Sequence, residues 1–307
     1  MKKALILGAN GNIGQIIANE LADKGVLIKL FSRNPKKVNP NDELISGNLL
    51  HADDVLQAAE GVDVVFLVAG IQYDKKVWEK EWPIIMENTL EACKAQQAKL
   101  VFFDNMYACD PTKIGNLTES TALNPESTKG KVRLHILKML WREVEEKSLE
   151  AIVARAPDFY GPNAKNSLLH ELVISRMKSG KNPQWLYNAK SKHSFIYIPD
   201  AGKATVELAL SPDTWNQTWN LPTDQAFYTV EKITQILNTH LKKDFKLQVL
   251  PSWAISLLGL FIQPLKEVKE LSYQLEEDYC FDSSKFEKAF GSKATPIEDG
   301  LKKCLEA

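Results

Sequence analysis

Short apolar runs alternate with longer stretches of helical spacing through the first half of the chain. Residues 4–7 are apolar throughout, and in 13–24 the positions Ile13, Ile16, Ile17 and Leu21 fall on one helix face before Gly25, a helix-stop residue. Runs 26–31 and 43–46 read as strands, and 53–59 reads as a helix closed by Gly61. Run 62–68 is apolar enough for a strand buried on both faces. A long helix over 77–96 leads to a strand at 100–103, and a helix over 127–147 leads to a strand at 151–155. Alternation at this spacing predicts a doubly wound α/β fold, a parallel sheet with helices on both faces. The pattern loosens at Pro157, Gly161 and Pro162. Beyond it a strand at 195–198 and helices over 202–210 and 229–241 stand among mixed polar and aromatic residues. The expected organisation is a first domain over 1–157, with a return segment near 193–224, and a smaller lobe over 158–307.

Composition narrows the function classes. The 307 residues carry 38 Lys+Arg against 39 Asp+Glu, a formal charge of −1, so no broad basic face is expected for nucleic acid or an anionic membrane. With 44% hydrophobic and 25% charged residues, wholesale disorder is excluded. Cys93, Cys109, Cys280 and Cys304 are far apart and form no Cys-x-x-Cys pair, and His51, His135, His170, His193 and His240 have no metal-ligand spacing. No metal site is expected; His193, beside Ser194, is the histidine to test. The apolar run behind Lys2 and Lys3 meets Gly8 too soon for a signal peptide. The oily stretch 253–262, between Pro251 and Pro264, falls short of the roughly 20 residues a membrane span needs. It reads as a buried helix or a partner surface, and the protein reads as cytoplasmic. Trp185, Tyr187, Trp219 and Trp253 read as core aromatics before pocket walls, and 176–181 as a solvated helix end before an anion grip.

The sharpest motif is Gly8-Ala9-Asn10-Gly11-Asn12-Ile13-Gly14, set between a strand and a helix. Gly8 permits a tight turn, Gly11 a close backbone approach to a diphosphate, and Gly14 close packing of helix on strand. Free N–H groups and the positive end of the helix dipole then face the phosphates. The glycine spacing, with Asn48 and Leu49 in Ser46-Gly47-Asn48-Leu49 and Val68-Ala69-Gly70 behind 61–66, resembles the extended short-chain dehydrogenase/reductases, the NAD(P)-dependent epimerase/dehydratase-like proteins. Asn88 in Glu87-Asn88-Thr89, residues 155–162 with Pro157 and Phe159, and residues 195–200 extend the resemblance through most of the chain. It implies a Rossmann-type domain with Asn48 and Leu49 at the adenine and Val68, Ala69, Gly70, Asn88, Pro157 and Phe159 along the cofactor.

An NAD enzyme wants a carboxylate at the end of the second strand to bind the ribose hydroxyls. Here that end reads Ser32-Arg33-Asn34-Pro35-Lys36-Lys37, with no acid. Ser32, Arg33 and Lys36 or Lys37 suit a 2′-phosphate, so NADP is expected ahead of NAD.

The resemblance also implies a Ser/Thr after the fifth strand and a Tyr-x-x-x-Lys on the next helix. This chain departs at each position: Asp104-Asn105 replaces the hydroxyl pair, Lys129 the Tyr, and Arg133 the Lys. Residues four apart share a helix face, so Lys129 and Arg133 are expected to point together at the cofactor. In the enzymatic reading Lys129 is the proton donor and helps grip cofactor, Asn105 polarises a carbonyl, Arg133 holds the ribose and Tyr107 is an alternative acid. The lead function is an NADPH-dependent oxidoreductase acting on a small carbonyl or alcohol. Two alternatives stay open: a nucleotide-sugar epimerase or dehydratase, and a non-catalytic sensor of NADP(H). Helices 77–96 and 127–147 suggest a homodimer by analogy alone.

Overall fold

The computed structural model describes residues 1–164, 167–259 and 263–307. In chain order the elements are β1 (Lys3–Leu7), α1 (Asn12–Ala22), β2 (Leu27–Ser32), β3 (Glu43–Ser46), α2 (Ala52–Ala58), β4 (Val64–Leu67), α3 (Lys75–Gln96), β5 (Lys99–Asp104), α4 (Thr128–Glu145) and β6 (Ala151–Arg155). They continue with β7 (Asp158–Tyr160), α5 (Ser175–Lys178), β8 (Gln184–Leu186), β9 (Phe195–Tyr197), α6 (Ile198–Leu210), β10 (Gln217–Asn220), α7 (Val230–Leu241) and β11 (Gln248–Leu250). The last helices are α8 (Ser252–Leu258), α9 (Gln263–Lys269), α10 (Tyr273–Glu276), α11 (Ser284–Phe290) and α12 (Ile297–Glu306).

The chain divides into two compact units. The first holds residues 1–108, 128–156 and 201–221; the second holds 109–127, 157–200 and 222–307. Residues 109–127 therefore group with the second unit, whereas the sequence reading had them in the first.

Among the described residues the first unit is built on a seven-stranded sheet in the order β10-β6-β5-β4-β1-β2-β3, with every neighbouring pair parallel. This is the doubly wound arrangement the alternation predicts. The order reverses at β1, which has β2 on one side and β4 on the other. Ligands of open α/β sheets bind beyond the carboxyl ends of the strands at such a reversal. The central strands read as apolar runs because both faces are covered: Val64–Leu67 and Ala151–Arg155 are buried along their whole length.

Helix ends follow local chemistry. Asp74 caps α3 by accepting from the N–H groups of Lys76 and Val77, and Gln97 closes it in the left-handed conformation at φ 54°. Gly202 is required by packing: a Cβ there would lie 2.4 Å from the Ile16 Cγ2 of α1. The strand expected at 195–198 ends at Tyr197, because Ile198 already opens α6 with Pro199 and Asp200 in its first turn.

The second unit has its own core, with Leu169, Val173, Trp185, Phe195, Ile233 and Leu301 among its buried residues. Two short parallel pairs, β7 with β9 and β8 with β11, frame it. Trp185 and Trp219 are core residues and Tyr187 is partly buried. Trp253 is neither core nor pocket wall: it is 71% exposed on α8, with Leu257 exposed one turn on. Of the apolar stretch 253–262, residues 260–262 lie outside the described residues; the described part is not a buried helix. No helix among the described residues is long and apolar enough to cross a membrane.

Candidate active site

The turn after β1 is shaped by close approach. Gly8 has φ +94°, and a Cβ on it would stand 2.5 Å from the Ala69 Cα and 2.7 Å from the Ala69 nitrogen. Gly8 therefore holds β1 and the end of β4 together where the sheet order reverses. The N–H groups of Gly8 and Ala9 donate to the Phe31 carbonyl at 3.1 and 3.3 Å, and Gly11 donates to the Gly8 carbonyl at 3.1 Å. A Cβ on Gly14 would meet the Ala9 Cα at 2.9 Å, so α1 can lie this close to the turn only with glycine there. Gly11 is exposed and precedes α1, and no side chain caps that helix or places an acid in its first turn. Asn12 and Ile13 form the first turn, half-buried. Asn10 ties the turn to the next loop, donating to the Asn34 carbonyl at 2.8 Å and accepting from the Lys36 N–H at 3.3 Å. A cradle that any Cβ would fill, opening on an uncapped helix start, fits a dinucleotide diphosphate.

The loops after β2 and β3 carry the residues expected at the adenosine end. Among the described residues the buried Ser32 Oγ has no hydrogen-bond partner, and Arg33 is exposed. Lys37 is exposed, and its ammonium donates to the Pro40 carbonyl at 2.7 Å. Asn48 receives support from Asp54, which accepts its N–H at 2.8 Å, and its side-chain carbonyl accepts from the Leu50 N–H at 3.1 Å. Asn88 is tied to the loop before it. Its Nδ2 donates to the Leu49 carbonyl at 2.9 Å, so α3 fixes the loop that carries Asn48 and Leu49.

Val68 and Ala69 continue β4, with the Val68 N–H on the Leu7 carbonyl at 3.0 Å, and Gly70 is exposed. Beyond them the structure gathers Tyr73, Tyr107 and Lys129. Lys129 is fully buried, and its Nζ lies 4.5 Å from the centre of the Tyr73 ring. The Tyr73 and Tyr107 hydroxyls are 3.3 Å apart. Trp78 stacks on Tyr107 at 6.0 Å and meets Tyr73 edge-on at 5.9 Å. Asn105 is half-buried, its Oδ1 accepting from the Tyr107 N–H at 3.0 Å, which sets the bend that turns Tyr107 toward Tyr73.

Arg133, expected at the cofactor ribose, is packed among aromatic rings beside a carboxylate. It is 4% exposed, and its guanidinium lies over Trp82 at 4.4 Å, Phe102 at 5.0 Å and Trp78 at 5.5 Å. Its Nε is 3.0 Å from the Asp104 Oδ1, and the Arg155 Nε is 3.9 Å from the other Asp104 oxygen. These are ion pairs off the hydrogen-bond axis, since neither oxygen has an aligned donor. Asp104 supplies the physical reason: a carboxylate at the end of β5 draws the guanidinium inward, where the aromatic faces receive it. Burial pushes the Arg133 pKa below its ordinary value, opposed by Asp104 and Tyr107.

Pro157 and Phe159 belong to the second unit. Pro157 is buried; the Phe159 carbonyl accepts from the Ser167 hydroxyl, and Phe159 pairs with Ile196 across β7 and β9. In the same unit His193 is buried against Trp185, Phe195 and Tyr279, with its Nε2 2.9 Å from the Asp158 Oδ2.

The sequence does not single out Tyr73; it offers Asp104 only beside Asn105 in place of the hydroxyl pair, and Arg155 only at the head of 155–162. A signal for the Arg133 cluster existed: Lys129, Val132, Arg133, Ile136 and Leu140 share one face of α4, and the apolar members mark that face as core. No motif marks Tyr73, whose partners come from the start of α3, from α4 and from the segment after β5.

A parallel sheet whose order reverses at a glycine-rich turn defines a Rossmann-type fold. The profile of the NAD dependent epimerase/dehydratase family matches residues 4–221, and the chain belongs to that family. It is thus an NAD(P)-dependent enzyme of the oxidoreductase and epimerase type. A Bacillus subtilis protein named as an uncharacterized UDP-glucose epimerase is 25% identical over 71% of this chain and 76% of its own. The solved UDP-glucose 4-epimerase of Thermotoga maritima with UDP-glucose superposes at TM-score 0.80 with 17% identity, covering 100% of this chain and 98% of that one. The UDP-glucuronic acid 4-epimerase of Bacillus cereus in complex with NAD does so at 0.78 with 18% identity, covering 99% and 97%.

Proposed function

We propose that this protein binds NADP(H) along the Gly8–Gly14 turn and interconverts a secondary alcohol and a ketone on a sugar-like substrate. The observation that carries the reading is the glycine turn itself: a Cβ on Gly8 would stand 2.5 Å from the Ala69 Cα, so only glycine fits where the sheet order reverses. When bound, the nicotinamide dinucleotide supplies hydride acceptance and donation. The chain supplies orientation and proton handling. Gly11 and the start of α1 hold the diphosphate; Asn48 and Leu49, steadied by Asn88, face the adenine; Val68, Ala69 and Gly70 underlie the middle of the dinucleotide. Arg33, exposed and without an acidic neighbour at the end of β2, favours a 2′-phosphate, with Ser32 as a hydrogen-bonding partner.

Proton handling is assigned to the Lys129, Tyr73 and Tyr107 cluster, with Asn105 orienting the substrate oxygen. The relatives favour a nucleotide sugar over a free small carbonyl: one bears the name of a UDP-glucose epimerase, and one solved structure holds UDP-glucose. The test is proton NMR of UDP-glucose with the protein and each dinucleotide. Appearance of an epimer or keto sugar, abolished by Lys129→Ala, is expected; equal turnover in the two proteins removes Lys129 from the mechanism.

A further inference from the structure

We propose that Tyr73 is the catalytic residue that exchanges the proton with the substrate oxygen, and that Lys129 acts through it as a positioning cation. This rests on the reading above. Two burial facts carry the assignment. Lys129 has no exposed surface, so its ammonium does not meet a substrate where it stands. Tyr73, whose ring it touches, is 40% exposed. The cluster therefore presents a phenol outward and keeps the charge behind it.

The position along the chain agrees. Tyr73 follows Val68-Ala69-Gly70 by three residues, on the irregular segment between β4 and α3, beyond the strand ends where the sheet order reverses. Its ring is fixed by Trp78 edge-on and by the Lys129 ammonium on its face. Its hydroxyl has the Tyr107 hydroxyl at 3.3 Å as a second station for the proton. In the oxidising direction the nicotinamide dinucleotide, held at the Gly8–Gly14 turn, would take the substrate C–H electron pair as hydride. The substrate O–H proton passes to the Tyr73 phenolate oxygen, and the C=O bond forms. The phenol then returns its proton through Tyr107 to solvent; reduction runs the same steps in reverse.

The charged and titratable groups around Tyr73 act unequally. Lys129 on α4 is the cation in contact, and it favours the phenolate. Arg133 lies behind Trp78 and is paired with Asp104. Asp74, next in the chain, opposes, but its Oδ1 is turned to the Lys76 and Val77 N–H groups. Tyr107 shares the hydroxyl contact.

The experiment is a tyrosinate ultraviolet titration of the full chain without ligand. The background favours it: of the eight tyrosines, Tyr160, Tyr187, Tyr197, Tyr228 and Tyr273 are all pushed up, in each case chiefly by burial, Tyr197 to about 12. The wild type is expected to show one tyrosine ionising about 1 pH unit or more below an ordinary phenol. That phase should vanish in Tyr73→Phe, persist in Tyr107→Phe and Lys129→Arg, and move up by about 1 unit or more in Lys129→Met. An early phase absent from the wild type, retained in Tyr73→Phe, lost in Tyr107→Phe, or unmoved in Lys129→Met overturns the proposal. Calorimetry of NADPH with Tyr73→Phe separates the two claims. Unchanged affinity is expected, and failure of wild type and variant alike to bind sinks the functional reading while leaving the titration to be judged alone.

Discussion

Asp104 is the residue whose removal should tell most about how this chain differs from its family pattern. It has no exposed surface on its side chain and lies between two buried guanidiniums, 3.0 Å from the Arg133 Nε and 3.9 Å from that of Arg155. At an effective dielectric constant of about 20, unit charges 3.0 Å apart attract by about 5 kcal/mol, before the desolvation that offsets much of it. Asp104→Leu leaves both guanidiniums buried with no counter-ion, and the expected loss is about 3–5 kcal/mol of folding free energy. Arg133→Met is milder: Asp104 keeps Arg155, the apolar volume is retained, and the loss of stacking on Trp82 should cost about 1–3 kcal/mol. The double variant should lie about 1–3 kcal/mol above the sum of the singles, since the second change removes a charge the first had orphaned. Equilibrium urea unfolding at neutral pH, followed by tryptophan fluorescence, measures all three. A cost for Asp104→Leu below about 1 kcal/mol, or strict additivity, would refute the claim that this carboxylate holds Arg133 in the core.

Other outcomes follow from single contacts. Gly8→Ala puts a methyl 2.5 Å from the Ala69 backbone at φ +94°, so it should abolish dinucleotide binding and cost about 2–4 kcal/mol in urea unfolding. Arg33→Ala should weaken NADPH by about 10–100-fold and leave NADH unchanged in calorimetry. Glu143 is held below the ordinary carboxyl range first by the Ser148 hydroxyl at 2.6 Å and then by the Lys94 ammonium at 3.2 Å. A depressed acid contributes stability present above its unfolded pKa and lost as pH falls through the folded one, so Glu143→Gln should flatten the acid side of a Tm-against-pH curve and leave its neutral plateau lower.

Local chemistry was legible in the sequence; long-range choices were not. The β1-turn-α1 unit could be read because its constraints act between near neighbours: apolar strand, three glycines, helix spacing. The i, i+4 rule placed Lys129 and Arg133 on one face of α4, and both are buried on that face. The rule does not say that the face is the core. That depends on Asp104, Trp78, Trp82 and Phe102, which approach from α3 and β5. β10 escaped notice because four residues, Gln217–Asn220, with three of them polar, carry no strand period; pairing with β6 makes it a strand. Nor does the sequence give the backbone carbonyls on which Lys37 and Asn88 rest, Pro40 for one and Leu49 for the other.

Isothermal titration calorimetry of the wild-type protein with NADP+, NADPH, NAD+ and NADH tests the dinucleotide cradle most directly. The expected result is one saturable site per chain, tighter for the two 2′-phosphorylated forms and lost in Gly8→Ala. Absence of binding heat with all four, in a protein whose urea transition is intact, contradicts the assignment of the Gly8–Gly14 turn.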